Sequence, residues 1–123
     1  MSHTYSTLIY HLVFVVKYRS PLITPEILER LRALFGKKSA ELDSFIHIVN
    51  GHRDHVHVLI SSSPKASVSH LAKHLKGYSS FMMKDLRWQN GYAAFTVDER
   101  SFQRVFGYIK NQEKHHAAPW PRV

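Results

Sequence analysis

No cysteine occurs in the 123 residues, which excludes disulfides and thiolate metal centres. No run of 18 apolar residues is present, so no transmembrane helix is expected. The first residues go straight into patterned sequence, without a basic segment followed by an apolar one, and no secretory leader is expected. Together these absences point to a cytoplasmic protein. Internal repeats and low-complexity segments are absent too, and residues 1–123 read as a single domain large enough for a modest core. Acidic residues are scarce: 9 Asp+Glu stand against 17 Lys+Arg, for a net charge of +8. A small, strongly basic domain suits nucleic acid, although ribosomes and anionic membranes attract the same charge. The 44% hydrophobic content is that of a folded chain.

The patterned segments alternate between strands and helices. Thr7–Lys17 is β-branched and aromatic, long enough for a central strand, and broken by Tyr18-Arg19-Ser20-Pro21. Thr24-Pro25-Glu26 is a helix start, with Thr24 as cap, Pro25 in the first helical position and an acid in the first turn. Ile27, Leu28, Leu31, Leu34 and Phe35 continue it as an apolar stripe. Phe45–Asn50 is a second strand, and Gly51-His52-Arg53-Asp54 turns it into a third, Asp54–Ser61, to form a hairpin. Ser67–Leu86 reads as a second helix with Val68, Leu71, Leu75, Phe81 and Met82 largely inward. Gly91–Val97 is a fourth strand, and Ser101 caps a third helix running to about His116, before an irregular Pro119-Trp120-Pro121 tail. The order β-α-β-β-α-β plus a helix predicts an α+β, ferredoxin-like (RRM-like) fold. It has an antiparallel sheet, two helices on one face and the other face left for a site.

Two constellations carry chemistry. In Asp54-His55-Val56-His57, period-two alternation puts His55 and His57 side by side, with Val56 and Val58 turned into the core. Neighbouring imidazoles on a rigid strand suit a divalent cation, and they are equally two polar residues on a half-exposed sheet face. On the third helix Tyr108 and Gln112 stand one turn apart on one face, with His115 roughly continuing it. Alone, that is an ordinary polar helix surface. Combined, the two describe phosphoryl transfer. His55, His57 and Gln112 would hold a cation, and Tyr108 would attack a phosphodiester to give a phosphotyrosine and a free hydroxyl. The linkage conserves the bond energy, so rejoining needs no ATP, and no Walker-type glycine-rich loop is present.

Over nearly the whole chain the sequence resembles the single-tyrosine HUH transposases, the small TnpA-type enzymes of bacterial and archaeal insertion sequences. The resemblance is carried by Tyr5–Lys17 with Tyr18-Arg19, Asp54-His55-Val56-His57-Val58-Leu59 and Lys76-Gly77-Tyr78-Ser79-Ser80. It continues through Trp88-Gln89-Asn90-Gly91-Tyr92 with Ala94-Phe95, and Tyr108-Ile109-Lys110-Asn111-Gln112-Glu113-Lys114-His115-His116. It implies cleavage of single-stranded DNA, folded as hairpins at insertion-sequence ends, through a 5′-phosphotyrosine. It also implies Mg²⁺ or Mn²⁺ and a homodimer. By residue it makes Tyr108 the nucleophile and His55, His57 and Gln112 the metal ligands. It implies further that the tyrosine helix docks in trans on the partner's His pair. That expectation is reinforced because the helix has an apolar face (Phe102, Val105, Phe106, Ile109) and a sheet already covered by two helices offers limited room. Gly107, directly before the tyrosine, departs from a good helix former by roughly 1 kcal/mol. His52, His115 and His116 carry no assigned role.

Candidate phosphate contacts are Lys73, Lys76, Lys84, Arg87 and Arg53, with His74 beside them. Trp88, Tyr92 and Tyr78 are candidates for stacking on unpaired bases, with a core or interface place as the alternative, favoured for Tyr92 and Phe95. Two other classes compete. A non-catalytic ferredoxin-like nucleic-acid-binding domain explains charge and fold, but not His55, His57, Tyr108 and Gln112 together. An HUH-type nickase acting on other hairpin repeats shares the chemistry.

Overall fold

The computed structural model describes residues 7–112. Tyr5, the helix extension to His116 with His115 and His116, and the Pro119-Trp120-Pro121 tail lie outside the described residues. The elements are β1 (Leu8–Val15), α1 (Pro25–Glu41), β2 (Ser44–His52), β3 (His55–Ser62), α2 (Val68–Met82), β4 (Ala93–Thr96) and α3 (Phe102–Lys110), with a short 3-10 turn over Lys17–Arg19. The sheet order is β2-β3-β1-β4, with every neighbouring pair antiparallel. This is the ferredoxin-like arrangement that the element order predicts.

Strand alternation sorts the side chains into two layers. Leu12 and Phe14 of β1 and Val56, Val58 and Ile60 of β3 face α1 and α2, where they meet Leu28, Leu31, Phe35, Leu71, Ala72 and Leu75 in the main core. Each large side chain so buried contributes about 1.5–3 kcal/mol relative to exposure. Thr24 Oγ1 accepts from the Ile27 amide at 3.2 Å, and Ser67 Oγ accepts from the His70 amide at 3.1 Å, so both helices start on a side-chain cap. The opposite sheet face carries Leu59, which packs with Val97 and Ile109 in a second, smaller core flanked by Ile9, Ile48, Phe102, Val105 and Phe106. Thus α3 covers part of the face that α1 and α2 leave open. The limited-room argument for docking on another copy fails, because those two helices occupy only one side of the sheet.

Several boundaries differ from the sequence reading. Helix α1 runs past Phe35 to Glu41, because Ser39 is buried and donates to the Gly36 carbonyl at 2.9 Å, extending the inward stripe in a polar residue. Strand β2 includes Gly51 and His52, so the hairpin turn shrinks to Arg53-Asp54, with Arg53 at φ 38°. Helix α2 stops at Met82 rather than Leu86. Its inward face is Leu71, Ala72, Leu75 and Ser79, and that phase leaves Phe81 72% and Met82 44% exposed, not inward. After the helix, Met83, Leu86 and Trp88 fold back into the main core. Strand β4 is shorter than Gly91–Val97, and Tyr92 and Phe95 are exposed rather than core. Ser101 makes no side-chain cap on α3; instead Asp98 Oδ1 accepts from the Ser101 amide at 2.8 Å. No described helix is long and apolar enough to cross a membrane.

Candidate active site

Cross-strand register places the site. His55 pairs with Val15 of β1 and His52 of β2, while His57 pairs with Val13 and Asn50. Paired residues in an antiparallel ladder project to the same face, so His52, Asn50, His55 and His57 share the α3 side. The His55 and His57 rings lie 5.0 Å apart, nearly perpendicular at 82°. Both side chains leave the main core, yet both are buried.

Each imidazole is held at its Nδ1. Asp54 Oδ1 lies 3.0 Å from His55 Nδ1, and Arg19 Nη1 reaches the other oxygen of that carboxylate at 3.4 Å. His11 Nε2 lies 2.8 Å from His57 Nδ1. His11 is itself partly buried, and burial lowers its pKa below the usual imidazole value, favouring the neutral ring needed for a donor–acceptor pair. Engagement of Nδ1 holds the direction of each ring, and Nε2 is the nitrogen with which a ring so held could meet a cation.

Helix α3 brings Tyr108 to this pair. Its ring stands edge-on to His57, 5.7 Å between centroids at 89°, and 6.4 Å from His11. It is 42% exposed, so a substrate can reach it beside the buried histidines. Gln112, one turn on, is fully buried and donates from Nε2 to the Tyr108 carbonyl at 3.3 Å. Among the described residues no three His, Asp or Glu side chains are grouped to hold a metal. A cation here would therefore need a different third donor, and a carboxamide oxygen is one such group.

The basic candidates divide. Arg53 is exposed at the hairpin tip beside His52 and Asp54. Lys73 and Lys84 are exposed, but they belong to α2 and the segment after it, on the sheet face opposite the histidines. Arg87 is exposed, and its Nη1 donates to the Lys84 and Leu86 carbonyls. Lys76 has a structural place: Nζ donates to the Gln89 and Gly91 carbonyls at 2.9 and 2.7 Å, and burial lowers its pKa. Trp88 is buried, not a surface stacking platform. Its Nε1 donates to Ser79 Oγ at 2.9 Å and its ring packs 5.7 Å from Phe14. A cleft of about 770 Å³ lies at the far end of β3, lined by Thr7, Phe45, Ser61, Ser63 and Lys65, away from the histidines. Sequence reasoning missed His11, Asn50 and the carboxylate role of Asp54. His11 had a signal: it alternates with the core residues Leu12 and Phe14 and so faces the histidine side.

The fold and site thus define a small ferredoxin-like domain in which a tyrosine helix lies over a histidine pair. The family model described as Transposase IS200 like matches residues 4–112, and this chain belongs to that family of transposases. The IS200 transposase of Salmonella typhimurium is 31% identical over 124 residues, covering 91% of this chain and 81% of its own. The ISDra2 transposase TnpA of Deinococcus radiodurans is 28% identical over 115 residues, covering 84% and 82%. Among solved structures, one from Deinococcus radiodurans matches with a TM-score of 0.73 at 23% identity, over 91% of this chain and 95% of that one. A REP-associated tyrosine transposase bound to a REP hairpin matches with a TM-score of 0.71 at 15% identity, over 98% and 74%. At those identities the structural likeness concerns the fold.

Proposed function

We propose that this transposase cleaves and rejoins single-stranded DNA, folded as hairpins at the ends of its element, through a 5′-phosphotyrosine on Tyr108. The observation that carries the reading is the half-exposed Tyr108 ring standing edge-on to His57 within one chain of this family. A hairpin as substrate is supported by the REP hairpin bound to the structural relative, and the +8 charge suits a phosphate backbone.

In this reading the Tyr108 hydroxyl attacks the scissile phosphorus. The Oη–P bond forms, the bond from phosphorus to the 3′ oxygen breaks, the phenol proton is lost, and the leaving oxygen takes up a proton as a 3′-hydroxyl. A 3′-hydroxyl from another strand then attacks the phosphotyrosine and restores the phenol, with no nucleotide consumed. A divalent cation, Mg²⁺ or Mn²⁺, would be held by His55, His57 and Gln112 and would supply charge neutralisation at the phosphate. Support for the histidine part of that set is that both imidazoles are engaged at Nδ1, which orients a ring for binding through its other nitrogen; Gln112 follows from the resemblance and from its place one turn after Tyr108. Asp54 and His11 hold those rings in place. A phenol is a weak nucleophile at neutral pH, and charge neutralisation at the phosphate would favour its attack.

The test is adduct formation on a hairpin oligonucleotide with single-stranded flanks, read on a denaturing gel. Wild type is expected to give a covalent adduct that EDTA suppresses. Tyr108→Phe should bind the hairpin and give none, and His55→Ala or His57→Ala should abolish the adduct with the fold intact. A normal adduct in Tyr108→Phe, or one indifferent to EDTA, sinks the scheme. The homodimer belongs to the same proposal. Mixing a Tyr108→Phe chain with a His55→Ala/His57→Ala chain separates the arrangements: trans docking restores one complete site per heterodimer, and cis docking restores none.

A further inference from the structure

Asn50 stands on β2 directly across from His57, and its buried side chain reaches away from the sheet to α3. Its Nδ2 donates to the Ile109 carbonyl at 3.0 Å and the Lys110 carbonyl at 3.1 Å. Its Oδ1 accepts from the Gly51 amide at 2.9 Å and from Arg32 Nη2 at 3.4 Å. Arg32 comes from α1, around the edge strand, and its Nε donates to the Val49 carbonyl at 2.9 Å. The amide is therefore anchored through its oxygen and presents its two donors to the helix.

The last carbonyls of an α-helix have no partner within the helix. Here Asn50, on a neighbouring strand, donates to two of them, that of Ile109 also accepting from the Asn111 amide, and Gln112 donates to the carbonyl of Tyr108 itself. Helix α3 has nine residues, one of them Gly107, and a helix that short is marginal unless tertiary contacts hold it. Its one fully buried apolar side chain is Ile109, the residue whose carbonyl Asn50 holds.

We infer that Asn50 is a positioning residue that latches the C-terminal turn of α3 to the strand opposite His57 and thereby sets where Tyr108 stands. The latch rests on these hydrogen bonds alone; its effect on DNA cleavage rests on the function proposed above. The two are separated by measuring them differently.

Asn50→Asp is nearly isosteric, keeps an oxygen towards Gly51 and Arg32, and turns both donors into an acceptor facing carbonyls. Amide hydrogen exchange of the full chain is the first measurement, with α1 and β1 as references in the same molecule. Amides of α3 are expected to exchange roughly tenfold faster or more, as for the loss of two hydrogen bonds, with α1 and β1 unchanged. Asn50→Ala, which removes the donors without adding charge, should move α3 in the same direction by less. Unchanged α3 exchange in either variant overturns the latch, as does equal acceleration of α3, α1 and β1, since that marks a general core residue. The second measurement is adduct formation by Asn50→Asp. The rate at saturating hairpin should fall at least about tenfold, with half-saturating DNA unchanged within about twofold, because binding does not run through Asn50. A normal adduct rate in a variant with loosened α3 overturns the positioning role. Absence of an adduct from wild type would instead defeat the tyrosine reading, and the exchange data would still decide the latch.

Discussion

Gly51 governs how closely the histidine strand is approached. It pairs with Val56 in the β2–β3 ladder, and a Cβ there would run into the His55 carbonyl oxygen and the Val56 Cα. Those obstacles are backbone atoms, which cannot rotate aside. Gly51→Ala is therefore expected to destabilise the protein by about 1–3 kcal/mol, the usual cost of overpacking, and to displace the strand that carries His55. A denaturant titration reads the loss, and an alanine variant as stable as the parent would remove this account. The same scale explains why the two histidines are held so differently. His55 has its partner next door in Asp54, whereas His57 depends on His11, 46 residues away.

At the scale of elements, α3 is the weak piece. It is short, begins at Phe102 without the expected Ser101 side-chain cap, and contains Gly107 in its sixth position. A Cβ at Gly107 would meet nothing within 4 Å, so packing does not require the glycine. Gly107→Ala should accordingly stabilise the protein by about 0.5–1 kcal/mol through helix propensity and the entropy of the unfolded chain. A rise in the thermal midpoint is the expected sign, and a fall would mean that the α3 backbone needs a freedom alanine lacks. By contrast α1 and α2 carry side-chain caps and share the main core, and their stability does not hang on one contact.

For the whole molecule, partly buried histidines tie stability to pH. Burial lowers the pKa of His11 and of His47, the latter 2.6 Å from Ser61 Oγ. In the unfolded chain such rings take up protons near pH 6.5. The unfolded state thus binds more protons between that value and the lowered folded ones, and stability falls as pH drops through this window. Asp98 works in a separate window. Its side-chain and backbone hydrogen bonds with Ser101 hold its pKa below the usual carboxylate value, so its contribution is lost only at more acid pH. The urea midpoint should be lower at pH 5.5 than at pH 7.5, and a His11→Gln/His47→Gln chain should narrow the gap. Equal midpoints at the two pH values in the parent would contradict the assignment.

The order of elements, the ferredoxin-like topology and the shared face of His55 and His57 were determined by the sequence itself. Each follows from a local period: two along Leu8–Val15 and His55–Ser62, near 3.6 along Pro25–Glu41, with Thr24 and Ser67 marking the helix starts. The resemblance to the family was legible for a related reason, since the histidine and tyrosine runs that carry it are each contiguous in sequence. Periodicity carries no information about pairs distant in sequence, and those were decided by the tertiary structure. Trp88 sits in a polar run and reads as surface, but Met83–Trp88 folds back to close the main core and its indole finds Ser79. Phe81 and Met82 read as inward, yet the phase set by Leu71, Leu75 and Ser79 turns them out. His11 and Asn50 look like strand residues until register brings them to His57 and to the end of α3. Which face α3 covers was likewise a tertiary outcome: its apolar stripe specifies that something must be buried, and Leu59, on the side opposite Val58, supplies the place.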